Sequence, residues 1–286
     1  MKPYRVPELA EKYINYDMIQ NHTELPDFPD ARVHLLYIFL KDSGRNIAGL
    51  EELYALVASL VQMGLDTHES IDVAEGNQGE AMMRSRQLKV LAGDYFSSRF
   101  YQLLAQKGEI AVISLLSRAV SSVNVMKMNL YGKMKDTLVP SEEYLRQTVQ
   151  LNMQLFLSFT PLLEKSVHET WRTLLKEFTQ CETLVQEMKR CVSPDSGRWS
   201  YSYWHLIETA SEEERRLLVG KKADPKDWKK LILKYKAAER LLDKLRETVA
   251  NLQQLLAGRS GDCPYSCLLE PFLHRLGTVS SVVRGG

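Results

Sequence analysis

The residues best placed to do chemistry close an apolar helical stretch as His68-Glu69-Ser70-Ile71-Asp72. Glu69 and Asp72 stand three positions apart, a spacing that puts two carboxylates on one face of a helix. Oxygen ligands so placed suit a hard cation such as Mg²⁺. Two carboxylates hold such an ion weakly, so a second acidic cluster would have to oppose the first. The sequence contains no adjacent Asp-Asp pair, and no Asn/Ser/Glu triad at four-residue steps. His68, Glu69 and Asp72 therefore read as a degenerate metal motif, and no metal or other cofactor is expected on this chain.

Other chemistries find less. Nucleophilic catalysis wants a framed Ser or Cys such as G-x-S-x-G, and phosphate cradles want G-x-x-x-x-G-K-[ST]; neither frame occurs. Cys263 and Cys267 lack a second Cys or His pair at zinc spacing, and Cys181 and Cys191 stand ten residues apart on a helical stretch. The remaining histidines, His22, His34, His168, His205 and His274, are scattered singly. No catalytic residue is assigned.

The elements that must position these residues are helical throughout. Of 286 residues, 44% are hydrophobic and 26% charged, the balance of a globular chain with a substantial core. A net charge of +1 argues against a nucleic-acid surface. No run approaches the roughly 18 apolar residues of a membrane span. The richest, Ile110 to Val125, is interrupted by Arg118 and several serines. With no secretory N-terminus the four cysteines read as reduced thiols, and a soluble cytoplasmic chain is expected.

Helical periodicity predicts an all-α bundle of about eight helices. Helices are expected over Pro7–Asn21, Asp30–Lys41, Ile47–Asp66, Arg86–Gln106 and Glu109–Lys135. A further one starts at Pro140-Ser141 and is interrupted at Pro161. The cluster Ser193-Pro194-Asp195-Ser196-Gly197 divides a main domain, 1–192, from a C-terminal region, 193–286, packed on the same bundle. Beyond it, Ser211 to Glu214 has capping-box spacing, and Asp224-Pro225 opens a helix to about Ala257. That helix carries the stripe Leu231, Tyr235, Ala238, Leu242, Leu245, Val249, Leu252 and Leu256, which serves either a partner seam or, with more weight, an internal helix pair. The segment 259–286 reads as irregular.

A second stripe lies on the Arg86–Gln106 helix, where Leu91, Asp94 or Tyr95, Ser98 and Tyr101 share a face. Together, Leu65-Asp66-Thr67-His68-Glu69, Arg86-Gln87-Leu88, Val90-Leu91-Ala92-Gly93-Asp94-Tyr95-Phe96-Ser97 and Lys127-Met128-Asn129-Leu130-Tyr131 resemble heptaprenyl diphosphate synthase component 1, over about 55–133. The Ala-Gly-Asp-Tyr segment also resembles catalytic trans-prenyltransferases, in which such a helix follows an Asp-rich motif that holds Mg²⁺ against an allylic diphosphate. The resemblance implies a prenyltransferase fold that has lost its metal ligands. It further implies a regulatory subunit, required for activity and for product length in making the menaquinone side chain. The implied partner is a catalytic, Asp-rich prenyl diphosphate synthase subunit that binds Mg²⁺ and forms a hetero-oligomer with this chain.

Under that reading, Leu91, Asp94, Tyr95, Ser98 and Tyr101 are candidates for a subunit interface or for the wall of a tunnel holding the apolar prenyl chain, with Asp94 fixing a cross-subunit hydrogen bond. The bland alternative makes them internal core contacts. A self-sufficient terpene-type enzyme and a helical adaptor unrelated to isoprenoids stand as the other readings. Twelve Lys or Arg against eight Asp or Glu between Glu212 and Glu247 give the adaptor a mildly basic face, or merely a solvated one.

Overall fold

A computed structural model describes residues 4–16, 19, 24–43, 47, 49–71, 80–220, 224–257 and 265–284. Among them are thirteen α-helices and no strand. In chain order these are α1 Val6–Ile14, α2 Asp30–Asp42, α3 Glu51–Glu69, α4 Glu80–Ala105, α5 Ile110–Asp136, α6 Ser141–Leu157 and α7 His168–Arg190. They are followed by α8 Pro194–Gly197, α9 Tyr201–Thr209, α10 Glu212–Val219, α11 Pro225–Lys234, α12 Ala237–Ala257 and α13 Glu270–Arg284. The count exceeds eight because the segment after Arg190 is cut into short helices.

The cuts follow local chemistry. Ser193, Ser200, Ser211 and Asp224 each accept a backbone N–H at a helix start, and Ser211 with Glu214 forms the expected capping box. Glu214 then takes Lys234 Nζ at 2.7 Å and the Tyr235 hydroxyl at 2.6 Å, tying α10 to the end of α11. The single helix expected over 225–257 is instead broken at Tyr235 and Lys236, where Lys236 turns into the left-handed region at φ 53°. The segment 259–286, read as irregular, holds α13.

The chain divides into two compact units. The first comprises 1–120 and 155–171, the second 121–154 and 172–286. In the first, α2 and α3 supply a core that includes Leu35, Leu36, Phe39, Val57 and Leu60, with Trp171 against Phe39. Tyr54 is buried there and donates to Glu109 at 2.6 Å. Burial and then that bond hold its phenol well above the usual range.

In the second unit the stripe on α12 faces inward: Leu242, Leu245, Val249, Leu252 and Leu256 are buried, as is Leu231 on α11. The internal reading of that stripe is the one realised, although Ala238 lies outside it at the surface. Ser193–Gly197 lies inside this unit as a one-turn helix, its Gly197 pressed so close to Trp228 that a Cβ would sit 2.2 Å from the ring.

Candidate functional site

The two segments that carry the family likeness meet. Among the described residues α3 and α4 make an extensive helix contact, and small residues permit it. A Cβ on Gly64 would lie 2.4 Å from Ser97 Oγ and 3.1 Å from the Gly93 carbonyl oxygen. A Cβ on Gly93 would lie 2.6 Å from His68 Nε2, so only a bare Cα lets the imidazole rest on α4. The inward side of α4 is then Ala92, Phe96, Phe100 and Leu104, all buried. Gly93 and Ser97 belong to the family-like segment, but neither they nor Gly64 are given a packing role by the sequence; the signal available was small residues at facing positions of two adjacent helices.

His68 is thereby fixed over Gly93, and its Nε2 lies 3.3 Å from Asp94 Oδ1. Lys89 Nζ donates to the Ser70 carbonyl at 3.1 Å, closing the end of α3 onto α4. Glu69 is exposed on the last turn of α3. Asp72, the third member of the degenerate motif, lies outside the described residues. Among the described residues no three His, Cys, Asp or Glu side chains gather into a set able to hold a metal ion.

Most of the candidate face of α4 is open, with Asp94 at its edge reaching His68 of α3. Leu91 is 62% exposed and Tyr101 49%, with Asp94 and Ser98 also exposed and Tyr95 half-buried. Leu91, Asp94, Ser98 and Tyr101 are therefore outside the core, whose side of α4 is the opposite one, while Tyr95 packs partly within the chain. Tyr95 is braced by its neighbours, with the Arg99 guanidinium 4.4 Å from its ring centroid and the Tyr16 ring at 5.8 Å. The Tyr101 hydroxyl lies 2.9 Å from Ser117 Oγ, which sets α4 and the start of α5 side by side. There Ile110 adds another 65% exposed apolar side chain.

α5 continues into the second unit with Val125, Met128 and Tyr131 exposed. It is also the one described helix long and apolar enough, by length and composition, to cross a membrane, which the count of Arg118 and the serines had argued against. Only about a fifth of its apolar window is buried within the chain (22%).

Residues 16–237 match the heptaprenyl diphosphate synthase (HEPPP synthase) subunit 1 family. Heptaprenyl diphosphate synthase component 1 of Geobacillus stearothermophilus is 43% identical over 161 residues, covering 56% of this chain and 57% of that protein. Among solved structures, heptaprenyl diphosphate synthase from Staphylococcus aureus superposes with a TM-score of 0.64 at 12% identity, covering 96% of each chain. Decaprenyl diphosphate synthase from Rhodobacter capsulatus gives 0.64 at 13% identity, over 96% of this chain and 95% of that one. At such identities the superpositions establish a common all-α isoprenoid synthase fold. By the match along most of its length, the chain belongs to the heptaprenyl diphosphate synthase subunit 1 family.

Proposed function

We propose that this chain is the non-catalytic, regulatory subunit of a two-component synthase of heptaprenyl diphosphate, the side-chain precursor of menaquinone, acting in the cytoplasm. Its partner is an Asp-rich prenyl diphosphate synthase subunit that carries the Mg²⁺ and condenses isopentenyl diphosphate onto an allylic diphosphate.

The observation that carries the reading is the use made of the family-like residues. At and beside the segments Leu65–Glu69 and Val90–Ser97, Gly64, Gly93 and Ser97 bring two helices together, while Val90, Leu91 and Tyr101 stand exposed with the polar Asp94 and Ser98 between them. A contiguous exposed apolar surface on a globular chain marks a binding face. This stripe is the docking face for the partner. It also supplies part of the wall along which a long apolar product extends.

The decisive experiment is reconstitution. Each purified subunit is assayed alone and then together for isopentenyl diphosphate incorporation with Mg²⁺, and product length is read by chromatography. Long-chain product is expected only from the mixture. Leu91→Asp and Tyr101→Asp in this chain should abolish complex formation while leaving its own melting transition in place. Full long-chain activity from the partner alone, with no complex, would refute the proposal.

A further inference from the structure

One exposed carboxylate interrupts the open stripe. From Gln87 to Tyr101 the exposed residues of α4 are Gln87, Val90, Leu91, Asp94, Ser98 and Tyr101, and Asp94 alone among these is of a charged type, the half-buried Arg99 being laid over the Tyr95 ring. Its side chain is 67% exposed. Among the described residues its ion-pair partner is His68, whose charge depends on protonation.

A carboxylate carried into a dry contact needs a counter-charge, because unpaired burial costs more than packing around it returns. An ionised carboxylate accepts several donors, so one imidazole on Oδ1 leaves it capacity for another. The support beneath is tightly determined: Gly93 gives the His68 ring its place, and the ring in turn stands at Asp94 Oδ1.

We infer that the subunit docking on this stripe brings one cationic side chain, an Arg or Lys set in an otherwise apolar helical face, against Asp94. His68 is a positioning residue that holds the carboxylate for it. The inference rests on the stripe being the docking face, and it adds the chemistry of the partner and the role of the histidine.

The test titrates this chain into its Asp-rich partner and measures Kd by calorimetry for the wild type, Asp94→Asn, Asp94→Lys and His68→Gln. Asp94→Asn is expected to weaken binding by about 30-fold or more, the scale for truncating one member of a buried charge pair. Asp94→Lys should abolish it. His68→Gln should weaken binding about fivefold, and that loss should vanish in the Asp94→Asn background, which a merely structural role for the histidine would not produce.

Replacing the partner's Lys and Arg singly by Ala should reveal one position whose cost disappears when Asp94 is Asn. Unchanged melting of Asp94→Asn by circular dichroism confirms that the effect lies in docking. Wild-type subunits that assemble, with Asp94→Asn binding as tightly, overturn this inference and leave the regulatory-subunit reading standing. Wild-type subunits that do not assemble overturn both.

Discussion

The outward stripe of α4 and the stripe of α12 are alike as sequence and opposite as structure. Both stripes step by three and four, although on α4 the polar Asp94 and Ser98 stand between Leu91 and Tyr101. On α12 the repeat is spent inside the second unit, where α9, α11 and α13 pack around it and Leu245 and Leu252 have no exposure at all. On α4 a different set, Ala92, Phe96, Phe100 and Leu104, makes the internal contact, and Leu91 and Tyr101 are left over. A helix that is apolar along two sides, with its covalent neighbours covering one, has a second side for something else. What separates a core stripe from an open one is therefore the number of apolar sides a helix has against the number of its neighbours, rather than the presence of a stripe.

The sharpest way to break that contrast is to truncate one leucine from each stripe. Leu245→Ala should lower unfolding free energy by about 2–5 kcal/mol, the cost of a cavity in a packed core. Leu91→Ala should cost under about 0.5 kcal/mol, as for an exposed site, yet weaken assembly with the partner. Urea unfolding of the isolated chain and a binding titration measure both quantities. Equal destabilisation by the two substitutions would mean that the outward stripe of α4 is covered within the chain.

A smaller effect probes the contact that turns α4 the way it faces. Gly64→Val must displace Ser97 or part the two backbones, and overpacking of this kind costs about 1–3 kcal/mol. It should also weaken assembly, since a shifted α4 carries Leu91 and Asp94 with it, whereas Gly132→Ala, inside α5 with nothing near its Cβ, should raise stability by about 0.5–1 kcal/mol.

This contact marks where the sequence was legible and where it was not. The all-α class, the caps at Ser211 and Asp224 and the helix at Ser141 follow from local chemistry that the chain displays residue by residue. The facing of Gly64 on Ser97 and of His68 on Gly93 pairs residues 25 or more positions apart, and no period within either helix reports it. For the same reason the sequence placed Leu91, Asp94, Ser98 and Tyr101 together on one face but left open whether that face looked inward. The set His68, Glu69 and Asp72 was legible as too few carboxylates for a firm hard-cation site, while the contact of His68 with a carboxylate on the next helix belongs to tertiary structure.

The smallest effect concerns why the apolar run from Leu231 to Leu256 is two helices. An unbroken helix would keep the direction of α11 through α12. The kink at Lys236 instead lets Trp228 stay buried on α11, its Nε1 donating to the Cys191 carbonyl at 2.9 Å, while Leu241 and Leu245 are buried on α12. Lys236 supplies the kink from the left-handed region, which costs an L-residue about 1–2 kcal/mol and glycine almost nothing. Glycine gives part of that back through its freer unfolded chain, so Lys236→Gly should raise stability by about 0.5 kcal/mol. Lys236→Pro cannot adopt a positive φ and should destabilise the second unit. A stabilising Lys236→Pro would mean that the stripe prefers to run straight, and that the division of this helix is not imposed by the packing of Trp228 and Leu245.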